Sequence, residues 1–419
     1  MNFDLSKKIR GENHTLLNLL SIVVIFLSGA YLILFNSHLG LGDDGIYILA
    51  GRRITDHEAI YTDGFRGGPV GALLLYGFSI IIPKFWIVLQ IANIAGIYYV
   101  LRKYTPSLEL MTRNLLYLFV IWSGPVREML YDHQLSGLLL AIFIQVFSKS
   151  SADRYARLGF LNLITFALAC EIKPHLAIPF LIALLSLRAG QVVLLQTTFM
   201  ILTTHIITWV YQGSITDIEW FKTLIGLSRD DTNSGWSEVS NIWPILEVLF
   251  RNHTFWVSLS SITLLLVSFK IFNASRGGNV NLTLILCAIY SFFLPYNHLY
   301  DFTLLGVLFA VSLVNSRFSV IASAVLGLWL IPVNILSPMN AGLALMGMLF
   351  YTSLKSFRIS KFLFRYLLSI IALSLTHTFF HTIFPLVSVD QSITVSALVL
   401  FAFFRVYATR TKSLGKESW

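Results

Sequence analysis

Apolar runs of about 15–20 residues recur from Leu16 to Tyr407, roughly the length at which a helix spans the hydrocarbon core of a bilayer. They fall near 15–36, 70–82, 85–101, 114–124, 134–148, 158–172, 174–187, 190–211, 252–269, 280–296, 299–314, 318–333, 339–354, 364–383 and 389–404. Only 12% of the residues are charged and 56% are hydrophobic, against about 25% charged in a soluble chain. A water-soluble enzyme is excluded, because such a surface would expose large apolar patches. The fold class expected is an all-α polytopic membrane protein, one domain over residues 1–419, with about 12–14 transmembrane helices and short interfacial helices in its first outer loop. The run at 70–82 is short and ends at Pro83 and Lys84. Residues 70–101 are therefore expected to make one net crossing, with 70–82 re-entrant or interfacial and buried by other helices.

Charge sets the orientation. With the N-terminus inside, 21 of the 30 Lys and Arg fall on the cytoplasmic face and 16 of the 21 Asp and Glu on the outer face. The net charge of +9 thus reads as the positive-inside bias of a plasma-membrane protein whose termini are both cytoplasmic. No basic run is dense enough to follow a phosphate backbone, so no nucleic-acid partner is expected. Lys7, Lys8 and Arg10 precede the run at 15–36, which is too long for a signal-peptide core and reads as an uncleaved helix. Cys170 and Cys287 both lie in apolar runs and read as small buried hydrophobes.

Two outer loops are long, 37–69 and 212–250, and function is expected on that face. The first opens with Gly42-Asp43-Asp44-Gly45. Adjacent carboxylates at the edge of the hydrocarbon repel one another, which favours proton uptake and suits a general base. Residues 45–53 are expected to form a helix along the membrane surface, Tyr47 and Leu49 down and Arg52 and Arg53 up. Arg66 precedes Gly67-Gly68-Pro69, where glycines allow close backbone approach and the guanidinium can grip a phosphate. Three further polar clusters belong to the same face: Arg127-Glu128 with Tyr131-Asp132-His133-Gln134, Glu171-Ile172-Lys173-Pro174-His175, and Tyr296-Asn297-His298-Leu299-Tyr300-Asp301. Each group alone is commonly a snorkelling helix end. Together they imply an outward cavity holding Asp43, Asp44, Arg66, Asp132, Lys173, His298 and Asp301. In the second loop Trp236, near Asp230 and Asp231, either stacks on a sugar ring or anchors the loop at the interface. His205, His377 and His381 lie in or near apolar runs, and their spacing offers no convincing metal set.

These segments resemble the glycosyltransferase C superfamily, and within it glycosyltransferase family 87, which includes polyprenyl-phosphate-mannose-dependent mannosyltransferases. "GDDGIYILAGRRITDHEAIY" is similar to that family's first loop, and it puts Asp43, four residues before Tyr47, at the catalytic-base position with Asp44 beside it. "FRGGPVGALL" is similar to the segment with a basic residue before two prolines, Gly68 replacing the first. "YDHQLSGLLLAIF" resembles a Gly-Gln helix start with His133 in place of the glycine, and puts Asp132 at a second outer acid. "LACEIKPHLAIPFLIALL" and "LPYNHLYDFTLL" resemble its Lys-Pro and His-x-Tyr-Asp segments. The likeness covers roughly residues 15–315.

The resemblance implies an inverting transfer of a hexose such as mannose from a polyprenyl-phosphate donor to a lipid or glycan acceptor on the outer face. Asp43 and Asp44 are the expected catalytic acids. Arg66, Lys173, His298 and Arg127 are expected at the donor phosphate, and Tyr47, Asp132, His133, Gln134, His175, Asn297, Tyr300, Asp301 and Trp236 around the substrates. No cofactor is expected; Asp43 and Asp132 are the pair that would share a divalent metal, as in some members of the superfamily. The alternatives are a secondary transporter or lipid flippase, which favours midplane charges and internal repeats, and an outer-face polysaccharide polymerase, which would use arginines of the second loop.

Overall fold

The computed structural model describes residues 19–34, 43–58, 60, 67–106, 110–121, 124–153, 155, 157–212, 253–294, 301 and 303. Arg66, Trp236, Asn297, His298 and Tyr300 lie outside the described residues, as do the second large loop from 213 on and the apolar runs after 318.

The described chain is helical throughout, with no strand among the described residues: α1 (Leu19–Leu34), α2 (Asp43–Thr55), α3 (Pro69–Ile81), α4 (Phe85–Tyr104), α5 (Leu110–Ile121), α6 (Gly124–Tyr131), α7 (Ser136–Ala152), α8 (Phe160–Ile172), α9 (Pro174–Leu185), α10 (Arg188–Gln212), α11 (His253–Arg276) and α12 (Val280–Phe292). Among the described residues three segments are long and apolar enough to cross a membrane: α4, α10 and Ser258–Arg276 of α11. Their outer faces carry bare side chains, among them Leu195 at 73%, Phe199 at 70% and Leu265 at 71% exposure. Water disfavours such a surface, whereas lipid tails match it.

The punctuation between helices is local chemistry. α3 and α9 each begin with proline in the first turn, where the missing N–H costs nothing. Between α3 and α4, Pro83 is followed by Lys84 in the left-handed region at φ 55°, which separates the two apolar runs. α11 ends near Gly278 at φ 72°, and the side chain of Asn279 accepts from the Leu282 amide to cap α12.

The core lies where α4, α7, α8 and α9 meet. Phe143 of α7 stacks on Phe180 of α9 at 5.4 Å and meets Phe166 of α8 edge-on at 5.9 Å. Cys170 and Cys287 are buried free thiols. A satellite cluster joins Ala50 and Ile54 of α2 to Ala72 of α3. The i, i+4 spacing of Ile46, Ala50 and Ile54 forms the inner stripe of α2. Leu49 lies off that stripe at 40% exposure. Arg52 stands exposed as expected and pairs with Asp56.

Candidate functional site

The site forms where the start of α2, the α6–α7 connection and the α8–α9 break converge on α3 and α4. Asp44, Tyr47, Leu75, Leu89, His133, Gln134, Leu135, Ile172 and Lys173 line one small hollow. Only the backbone of Asp43 is described, as the first residue of α2.

Asp44 is turned inward. Its carboxylate oxygen lies 2.8 Å from Nδ1 of His133, and both side chains are almost wholly buried. Trp86 of α4 lies flat on the imidazole, ring centres 4.8 Å apart at 9°. His133 holds φ 54°, a left-handed conformation that glycine adopts without strain and histidine does not. Nε2 of His133 and Nε2 of the neighbouring Gln134 are both buried without a hydrogen-bond partner among the described residues.

The bend carrying His133 is fixed from another helix. α7 has no side-chain cap of its own, so its early amides need outside acceptors. Asn93 of α4 supplies one: its Oδ1 accepts from the Leu138 amide at 2.9 Å, and its Nδ2 donates to the Gln134 carbonyl at 2.6 Å. Asn93→Leu therefore strands the part-buried Leu138 amide and the buried Gln134 carbonyl, at a cost of about 2–3 kcal/mol. Thermal unfolding of the purified variant in detergent should register that loss.

At the α8–α9 break, Lys173 ends one helix and starts the next. Its Nζ donates to Asp301 Oδ1 at 2.8 Å and to Ser136 Oγ at 3.0 Å, and Ser136 in turn donates to Asp301 at 3.2 Å. Nε2 of His175 approaches the other Asp301 oxygen at 3.4 Å. A cation and an anion distant in sequence thus neutralise one another inside the protein, tying α7 and α9 to residue 301. Tyr47 donates to the Ile172 carbonyl at 2.7 Å, joining α2 to the same break.

One residue earlier, Glu171 is buried and its carboxylate meets Nε2 of His205 from α10. Its carbonyl accepts from the Gly68 amide at 2.9 Å. A side chain at Gly68 would collide with that carboxylate, so the glycine is the condition for bringing the segment after Arg66 against α8.

The structure therefore brings together Asp44, Tyr47, His133, Gln134 and Lys173, with Asp301 joined through Lys173 and His175 through Asp301. Arg127 and Asp132 do not line the hollow. Arg127 is half-buried on α6, and burial draws its guanidinium below its ordinary value; Asp132 lies half-buried just after α6. Sequence reasoning missed Trp86, Asn93, Ser136 and the Glu171–His205 pair. A lone polar residue inside an apolar run was the available signal for Asn93 and Ser136. Trp86 gave none. Among the described residues no group of three or more His, Cys, Asp and Glu is placed to hold a metal. No protein-family model, curated protein or solved structure matches the chain.

Proposed function

We propose that this chain is a polytopic plasma-membrane glycosyltransferase. It moves a hexose such as mannose from a polyprenyl-phosphate donor to a lipid or glycan acceptor on the outer face, with inversion. The reading rests on one observation: acidic, imidazole and ammonium groups from three distant segments line a single hollow in an otherwise apolar helical protein. Buried ionisable groups in such a setting are expensive and mark function more often than structure. In this reaction the acceptor hydroxyl attacks the anomeric carbon, and its proton goes to a base in the hollow beside the Asp43–Asp44 end of α2. The departing lipid phosphate gains charge and is stabilised by cations. Lys173 is already engaged by Asp301, so Arg66 takes the leading part at the phosphate, with His298 and Arg127 in support.

A transporter remains the second reading, because paired charges beside a broken helix, as at Lys173 between α8 and α9, are also the pattern of solute carriers. One experiment separates them. Purified protein in lipid is incubated with a panel of polyprenyl-phosphate sugars, and free polyprenyl phosphate is measured. Release from a hexosyl donor that rises with added acceptor is the expected result. No release across the panel, together with solute uptake into the same vesicles, would replace the transferase with a carrier.

A further inference from the structure

The position of His133 carries a more specific inference, which rests on the transferase reading. We propose that His133 Nε2 is the atom that takes the acceptor's proton, with Asp44 behind it as the group that orients the imidazole and stabilises its charge.

Four observations lead there. Asp44 accepts at Nδ1, so the neutral imidazole carries its proton on Nδ1 and presents a lone pair at Nε2. That nitrogen is buried and has no partner among the described residues, which for a structural histidine wastes a polar group. Trp86 lies parallel to the ring at 4.8 Å, which holds the imidazole plane and so fixes the direction of Nε2. The backbone at φ 54° holds a histidine in a place suited to glycine, and strain of that kind persists where the side chain is needed.

The step balances without a further reagent. As the acceptor oxygen bonds to the anomeric carbon, the bond from that carbon to the phosphate oxygen breaks, and its electron pair leaves with the lipid phosphate. The hydroxyl proton passes to His133 Nε2, giving an imidazolium held between Asp44 and Trp86. Loss of that proton to water resets the site.

The test uses full-length protein in lipid, the hexosyl donor selected by the panel, and His133→Gly, which suits the left-handed backbone and leaves a void the size of an imidazole. Donor turnover should fall by about 100- to 10,000-fold, the usual contribution of a general base. Added free imidazole should then restore at least about tenfold of it, acting as the missing base. Size-exclusion profile and unfolding temperature report that the variant is folded. Turnover within threefold of wild type overturns the inference, as does a loss that imidazole does not relieve. If His133→Gly is active while Asp43→Asn is inert, the transferase reading stands and a carboxylate acts directly. If wild-type protein releases nothing from any donor, the transferase reading fails and this inference falls with it.

Discussion

Lys173→Met should be the most damaging single change among the described residues, lowering stability by about 3–5 kcal/mol. The Asp301 carboxylate is 1% exposed and loses its close cation. Ser136 still donates to it and His175 stands 3.4 Å away, but neither carries a permanent charge. The penalty comes from burying a carboxylate without the Lys173 ammonium more than from the lost attraction, since desolvation of the two ions had already offset most of their Coulombic gain. That reasoning makes a second, sharper expectation. Lys173→Met combined with Asp301→Leu should recover most of the loss, because a well-packed apolar pair replaces two ions that no longer need water. Unfolding in detergent of wild type, both single variants and the double variant closes the cycle. Additive losses in the double variant would show that the pair is not coupled.

Gly51→Leu ranks second, and its effect reaches the site. A β-carbon at Gly51 would fall on the Ala72 carbonyl and lie 2.5 Å from Cβ of Tyr76, so α2 and α3 touch backbone to backbone. Leucine must force the helices apart, at roughly 3 kcal/mol, the upper end of overpacking costs. Asp44 and Tyr47 ride on α2, so the same displacement pulls them from His133 and from the Ile172 carbonyl. A shift of about 1 Å in a reacting group can cost about 100-fold in rate. Under the proposed transferase activity, turnover should therefore fall further than stability does, and Gly51→Ala should lie between leucine and wild type in both assays. Equal turnover in the leucine variant and wild type would mean that α2 carries nothing the reaction uses.

The helices could be read from the chain because their cause is local. Apolar runs at 85–101, 158–172 and 190–211 became α4, α8 and α10 with ends shifted by a few residues, and Lys173-Pro174 marked the break between α8 and α9 because proline starts helices readily. The polar clusters were legible as clusters for the same reason: charge in an apolar stretch stands out. Their partners were not. Nothing near Asp44 in the sequence specifies His133, 89 positions away, and nothing near Lys173 specifies Asp301. Which acid meets which base depends on how helices pack, and several packings satisfy the same hydropathy. α2 shows the limit within one helix: that its inner stripe runs through Ile46, Ala50 and Ile54 is decided by the packing of α3, not by the sequence of α2 alone.

Chain order gives the Lys173–Asp301 bridge a meaning for biogenesis. Asn93 and Asp44 precede the bend they hold, so both are already made when His133 emerges from the ribosome. Lys173 has the opposite schedule. Its Asp301 partner is encoded 128 positions downstream, so the ion pair forms only after α10, α11 and α12 have been made, whereas Ser136 is there from the start. Closure of this half of the protein is a late event, deferred until residue 301 arrives.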